Sequence, residues 1–336
     1  MLSNNKIKLG ISVGDLHGIG LEVILKTFQD NKILQKCTPI IFGPYSICCD
    51  YKNILEEKKI TLNKIDSIKN LDPDKINILE NKKYDHKLSI GIPSIQSGLI
   101  AFDSLSDSCK ALEKNEIDVL VTAPIDKYQI RKSVNDFIGH TEFLESKFSG
   151  SSLMMMISGI MKIAFVTSHI PLSEVPNNIT EEKIINKTKR LNKSLITDFN
   201  IPKPKIAVLG LNPHSGENGM LGKEEDVIIT PAINNLNKKH NVIVEGPFSA
   251  DSFFTNDNLK LYDGILAMYH DQGLIPFKAL SFSEGVNFTA GLNVIRTSPV
   301  HGVAYDIGAT CSANEQSFKS AVISACEILK TRCLYN

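Results

Sequence analysis

Neither a long apolar run nor a surplus of one charge occurs in this 336-residue chain. Without about 18 consecutive apolar residues no membrane-spanning helix is predicted. The opening residues, MLSNNKIKLGISVGD, enter a strand-like run at once and lack the apolar core and small-residue cleavage site of a secretion signal. Seven cysteines, at 37, 48, 49, 109, 311, 326 and 333, include no C-x-x-C pair. An odd number without that spacing fits reduced thiols in a cytosol, most of them small core residues, so a soluble, cytoplasmic protein is expected. The 37 basic and 37 acidic residues cancel. No global field then recruits nucleic acid or an anionic membrane, and any anionic substrate must be held by local groups.

Reaction signatures are missing too. There is no G-x-S-x-G elbow, no catalytic-cysteine signature, no Walker A loop, no H-E-x-x-H pair and no EF-hand loop, so covalent nucleophilic catalysis has no support. No repeat, low-complexity tract or obvious linker interrupts the chain. What is present is 42% hydrophobic residues, enough for a sizeable core, in short β-branched runs alternating with longer periodic segments. That is the pattern of an α/β protein with a mainly parallel sheet. Strands are expected at Lys8 to Val13, Pro39 to Phe42, Asp118 to Thr122, Lys162 to Thr167, Lys205 to Leu211, Val242 to Glu245 and Gly264 to Met268. Ile95, Leu99, Phe102, Leu105, Cys109 and Leu112 recur at helical spacing and predict one buried helix face ending near Asn115. Thr180 reads as the N-cap of a helix to about Asn200, and Gln316 to Lys330 as a closing amphipathic helix. The lysine-rich stretch from Glu56 to Lys87 reads as loops and surface.

Three of the expected strands end in histidine: AFVTSH at His169, IAVLGLNPH at His214 and GILAMYH at His270. Ligands of open α/β sheets bind beyond the carboxyl ends of the strands, so these imidazoles head for the region where chemistry sits. Three neutral imidazoles with an open position suit a catalytic divalent metal such as zinc. Taken singly, each is a hydrogen-bonded strand-end residue; the recurrence favours ligation. Asp271 is either an orienter of His270, a ligand, or a turn aspartate.

Gly14-Asp15-Leu16-His17-Gly18-Ile19-Gly20 between strand and helix resembles a phosphate-cradling turn, but its spacing is not G-x-G-x-x-G, and a tight structural turn is favoured. His140 and Thr141, in Gly139-His140-Thr141-Glu142, sit at a loop-to-helix junction, as substrate contacts or as a threonine N-cap. Lys278, Asn287 and Arg296 stand in otherwise apolar or glycine-rich sequence, and a lysine with an arginine fork is a sensible clamp for phosphate or carboxylate. His86 and His240, among lysines and asparagines, read as solvated surface.

The segments GDxxGIGxE, VTAPIDK, GHTEFL, TSHIPL, LNPHSGENG, YHDQGLIPFK, GVNFTAGL and IRTSPVHGVAYDIG, from Leu9 to about Gly308, resemble the 4-hydroxythreonine-4-phosphate dehydrogenase family of pyridoxal phosphate (vitamin B6) biosynthesis. The resemblance implies a two-domain α/β/α fold like that of isocitrate and isopropylmalate dehydrogenases, with the active site in the interdomain cleft at a dimer interface. It implies a first domain of residues 1–130 plus 285–336 on the dinucleotide side and a second of 131–284 with the metal ligands and dimer contacts. His169, His214 and His270 would bind a divalent ion (zinc, magnesium or cobalt), and His140, Thr141, Lys278, Asn287 and Arg296 the substrate. HGVAYDIG would place His301, Gly302 and Asp306 near NAD, or NADP. The implied reaction is oxidation of a phosphorylated hydroxy amino acid and loss of carbon dioxide, with Lys278, Asp251 or a metal-bound hydroxide as base. A homodimer would share each site, His270 coming from the other subunit. The chain departs from the family pattern at Leu16, His17 and Leu21, which bears on loop rigidity and cofactor affinity. The alternatives are a relative acting on 4-phosphoerythronate or phosphothreonate, and a metal-dependent hydrolase.

Overall fold

A computed structural model describes residues 6–56, 60–80, 84 and 86–335. Its strands are β1 (Ile7–Ser12), β2 (Cys37–Phe42), β3 (Leu62–Ile65), β4 (Ile76–Leu79), β5 (Val119–Thr122), β6 (Gly150–Ile157), β7 (Lys162–Phe165), β8 (Lys205–Leu209), β9 (Ile243–Phe248), β10 (Gly264–Ala267), β11 (Val286–Leu292) and β12 (Arg296–Pro299). The chain falls into two units: the described residues up to Gly150 with Leu292–Cys333, and Ser151–Gly291 with residues 334 and 335. Residues 131–150, expected in the second domain, lie in the first unit because Phe137, Leu144 and Phe148 complete its apolar cluster with Leu105, Cys109, Leu112 and Leu120. Residues 285–291, expected in the first, lie in the second. There Phe288 packs edge-on against Phe199 with ring centroids 6.1 Å apart.

In the first unit the strand order is β3-β4-β2-β1-β5-β12, and its pairings are parallel. β2, β4, β5 and β12 are buried at every residue. Near-continuous apolar strands are what a parallel sheet covered on both faces requires. The helix Ile95–Glu113 packs on β1, β2 and β5, and the helix Gln316–Arg332 on β5 and β12. The first begins where the Ser94 side chain accepts from the N–H of Ser97 and gives way to Asn115 at φ 57, a residue tolerant of the left-handed turn. β3 and β4 correct the reading of 56–87 as loops, for the INIL run of β4 is fully buried. Residues 57–59, 81–83 and 85 of that stretch, and residues 1–5 of the amino-terminal reading, lie outside the described residues.

The second unit orders its strands β11-β6-β7-β10-β8-β9. β7, β10, β8 and β9 run parallel, and β6 pairs antiparallel with β7. The Thr180-capped helix forms as expected, over Glu181–Thr197. Cys37, Cys48, Cys109 and Cys326 are buried, and no cysteine is in a disulfide. Among the described residues no helix is long and apolar enough to cross a membrane.

Candidate active site

Adjacent parallel strands end side by side, so β7, β10 and β8 deliver three consecutive loops to one edge of the second unit. His169 lies four residues past the end of β7, His270 three past β10, and His214 five past β8. The edge is tied together by hydrogen bonds. The N–H of Thr167 donates to the Met268 carbonyl (3.1 Å), the N–H of Met268 to Gln272 Oε1 (2.7 Å), and Gln272 Nε2 to the Gly210 carbonyl (2.6 Å). The rings of His169 and His270 come to 5.6 Å between centroids. His214 follows β8, which lies next to β10 and two strands from β7, about 10 Å from the latter at ordinary strand spacing. Among the described residues of one chain, no three His, Cys, Asp or Glu side chains come within reach of one ion.

The donor chemistry nevertheless suits a divalent metal. His270 opens the helix His270–Ser281, and its Nδ1 lies 2.6 Å from Asp271 Oδ1. A carboxylate holding Nδ1–H leaves Nε2 as the lone-pair donor, the usual support of a metal-bound imidazole. Asp271 therefore serves as the orienter among the roles open to it. Asp251 Oδ2 stands 3.8 Å from His214 Nδ1, beyond hydrogen-bond length, both side chains being more than half exposed. His214 itself has φ 50 and ψ 32, and every residue from it to Gly219 has positive φ. Each non-glycine position in that conformation costs about 1 kcal/mol or more. Lys278 lies eight residues beyond His270, about 12 Å along the helix axis. It is half-buried, with Nζ 5.8 Å from the Phe282 ring centroid. Asn287, on β11, has a buried Oδ1 without a hydrogen-bond partner, an acceptor left open.

The first unit holds a second set of groups. Arg296 starts β12, is 2% exposed, and donates from Nε (3.0 Å) and Nη2 (2.6 Å) to Thr122 Oγ1 at the end of β5. Burial lowers its pKa to about 10, which still leaves it charged at neutral pH. His140 is the first residue of the helix His140–Lys147. The cap is Gly139, with no side-chain cap bond, so the threonine-cap reading is corrected and Thr141 sits within the first turn. Burial, then the charges of Arg296 and Lys127, hold the His140 imidazole well below its ordinary pKa. Its Nε2 is buried and has no hydrogen-bond partner. A buried arginine, a lysine, a neutral imidazole and a helix N-terminus together favour an anion. Lys127 was not singled out from sequence; its signals were its place in the VTAPIDK segment and after Asp126, which caps the helix Lys127–Arg131.

The Gly14–Gly20 turn is not such a site. Its N–H groups are used internally: Asp15 donates to the Pro124 carbonyl, Gly18 to that of Asp15, and Ile19 to that of Val303. Leu16 donates to Ser97 Oγ and His17 to Asp15 Oδ1. Gly18 is required there, since a Cβ would lie 2.2 Å from Val303 Cγ1. Leu16, His17 and Leu21 are buried, and the His17 ring stacks on His86 with Nε2 atoms 2.9 Å apart. His86 is thus no solvated surface residue, and burial lowers its pKa. Against this turn lies the loop holding His301, Gly302 and Asp306. Tyr305 fixes it, its hydroxyl lying 2.9 Å from Asp15 Oδ2 and 3.1 Å from Asp126 Oδ2. Asp306 is exposed, Gly302 faces open space, and His301 Nδ1 lies 3.0 Å from the Gly302 carbonyl.

The family model described as pyridoxal phosphate biosynthetic protein PdxA matches residues 35–325. A 4-hydroxythreonine-4-phosphate dehydrogenase of Bacteroides thetaiotaomicron is 40% identical over 98% of this chain and 91% of its own length. A Clostridium botulinum protein provisionally named D-threonate 4-phosphate dehydrogenase is 34% identical over 96% of this chain and 97% of its own. The crystal structure of 4-hydroxythreonine-4-phosphate dehydrogenase from Klebsiella pneumoniae superposes with a TM-score of 0.84 at 30% identity, covering 98% of this chain and 99% of that one. With that span matched and that identity held across nearly the whole chain, the protein belongs to the PdxA family of pyridoxal phosphate biosynthetic proteins.

Proposed function

We propose that this chain is a cytoplasmic, NAD-dependent and divalent-metal-dependent dehydrogenase that oxidises and decarboxylates 4-phosphohydroxy-L-threonine to 3-amino-2-oxopropyl phosphate. The observation that carries this reading is the placement of three histidines past the carboxyl ends of three adjacent parallel strands. His169, His214 and His270 would hold a divalent ion, which would supply Lewis acidity, and NAD would supply the hydride acceptor. Asp271 orients the imidazole of His270. Arg296, His140 and Thr141 bind the phosphate end, remote from the reacting carbon, where binding energy becomes orientation. His140 enters this contact neutral and donates or accepts by choice of tautomer. Asn287 and Lys278 contact the substrate from the second unit, and Lys278 and Asp251 are the candidate bases. The loop of His301, Gly302 and Asp306 lies on the dinucleotide side. The fold class in this reading is that of isocitrate dehydrogenase, the unit of residues up to 150 with 292–333 serving as dinucleotide domain and that of 151–291 as metal domain.

D-Threonate 4-phosphate is the second substrate reading, favoured by the Clostridium relative. NADH formation measured side by side on the two phosphorylated acids decides between them. A higher kcat/KM on the hydroxythreonine phosphate is expected, and the reverse order would reassign the substrate.

The site is completed, in this reading, by a second copy of the chain, because one chain brings no three ligands together among its described residues. The resemblance makes His270 the lent residue, whereas the nearness of His169 and His270 makes His214 the alternative. Random reassociation of two inactive variants separates them, because a two-fold dimer with both lesions in one site keeps the other site whole. If His270 is lent, His169→Ala mixed with His270→Ala regains roughly a quarter of the activity. If His214 is lent, only mixtures containing His214→Ala do so. No recovery in any mixture, despite demonstrated exchange, would place all three ligands in one chain.

A further inference from the structure

The six residues His214–Gly219 form a left-handed run with φ values of 50, 52, 80, 44, 54 and 85 degrees, and only two of them are glycine. Such a run of L-residues relaxes unless its neighbours over-determine it. Besides hydrogen bonds within the loop, such as those from the N–H of Glu217 to the His214 carbonyl and of Gly219 to that of Gly216, the neighbour here is a buried carboxylate. Glu225, 3% exposed, opens the π-helical turn Glu225–Ile229. Its Oε1 accepts from the backbone N–H groups of Leu211 and Asn212, both at 2.7 Å, and its Oε2 accepts from Asn212 Nδ2 at 2.9 Å. Glu224 Oε2 takes the same amide at 2.7 Å. On the far side of the loop, a Cβ on Gly216 would lie 2.6 Å from Glu225 Oε2, so the loop closes on the carboxylate only because residue 216 is glycine. Ser215 Oγ donates to the Pro247 carbonyl at 3.0 Å and holds the outer edge.

We propose that Glu225 is a positioning residue for His214: it pins the backbone before the histidine and seats the glycine after it, so that the imidazole meets a divalent cation without rearrangement. This rests on the reading of His214 as a metal ligand. π-Turns at functional sites and buried carboxylates that satisfy several donors at once both fit that role.

The test is metal affinity of the full chain, read by competition of Zn2+ against a chromophoric chelator after complete stripping. Glu225→Gln keeps the volume but replaces the acceptor facing Asn212 Nδ2 with a donor. Gly216→Ala pushes the same loop off the carboxylate while leaving residue 225 itself unchanged. Each is expected to weaken Zn2+ binding by about 10- to 100-fold, the usual consequence of losing support behind a ligand, while the circular-dichroism spectrum of the stripped protein stays near wild type. Wild-type affinity in either folded variant overturns the proposal. A loss of affinity matched by general loss of helix signal in both variants also overturns it, making Glu225 a fold residue. Wild-type and His214→Ala chains in the same titration separate the two ideas: failure of the wild type to bind Zn2+ sinks the metal reading itself, whereas tight binding by the variants sinks only the clamp.

Discussion

The loop after β1 and the loop after β8 leave parallel strands in the same way and end differently. In the first, five successive N–H donors, from Asp15 to Ile19, meet acceptors within the protein. Tyr51 caps two of its carbonyls, those of Leu16 and Gly18, at 3.0 and 2.8 Å. In the second, the backbone is held from behind by Glu225 while His214 is left with a mostly exposed side chain. A turn whose polar groups are all satisfied is scaffold; one whose backbone is fixed but whose side chain is open is available for chemistry. Glycine content alone does not separate the two, since both loops are glycine-rich.

The sharpest way to break that contrast is to remove the open side chains. His169→Ala, His214→Ala and His270→Ala should each lose bound metal and turnover by 100-fold or more, on the order seen when one ligand of three is removed. Elemental analysis reads this, and full occupancy in all three would remove the triad. Next in size is Arg296→Ala. If the buried guanidinium binds phosphate, kcat/KM should fall by about 30- to 150-fold on the phosphorylated acid, a charged hydrogen bond of about 2–3 kcal/mol, and little on the dephospho analogue. Equal loss on both would make Arg296 structural, the role its bonds to Thr122 already support.

Smaller effects sharpen the scaffold side. Gly18→Ala, which forces a Cβ against Val303, should destabilise by about 1–3 kcal/mol without changing metal content, whereas Gly302→Ala meets nothing within 4 Å and should leave the melting temperature unchanged. Similar melting of the two variants would mean that the Gly18 turn gives way easily. The gentlest effect is pH dependence. Folding depresses the pKa of His140 and His86 below 6.5, so the unfolded chain binds the extra protons. The His140 contribution is complete above about pH 6.5 and is lost as pH falls below it, at up to about 1.4 kcal/mol per pH unit, and that of the part-exposed His86 has the same sign and is smaller. Melting from pH 7.5 to 5 should therefore fall less steeply in His140→Gln than in wild type. Parallel curves would mean that His140 is protonated without cost.

The strands legible from sequence were β1, β2, β5, β7, β8 and β10, apolar runs whose burial on both faces writes itself into composition, and β9, an edge strand read from its β-branched start. β3 and β4 hid because the lysine-rich composition around these two short runs masks them. β12 reads RTSP, with no strand signature at all, because its burial is set by the tertiary pairing of Arg296 with Thr122. β6 and β11 were also missed, β6 for its polar start and run of methionines, β11 for its interior glycine. The strand-end histidines were visible because position after an apolar run is a local property. Glu225 was not, for its partners lie 13 and 14 residues away and only folding brings them to it.

The most direct test of the central claim, that the strand-end histidines hold a metal needed for hydride transfer, is NADH formation from 4-phosphohydroxy-L-threonine by the wild-type chain before chelation, after removal of divalent ions, and after one equivalent per chain is restored. The account predicts loss of NADH formation on stripping and its recovery on adding metal. Undiminished turnover by the verified metal-free chain would contradict it.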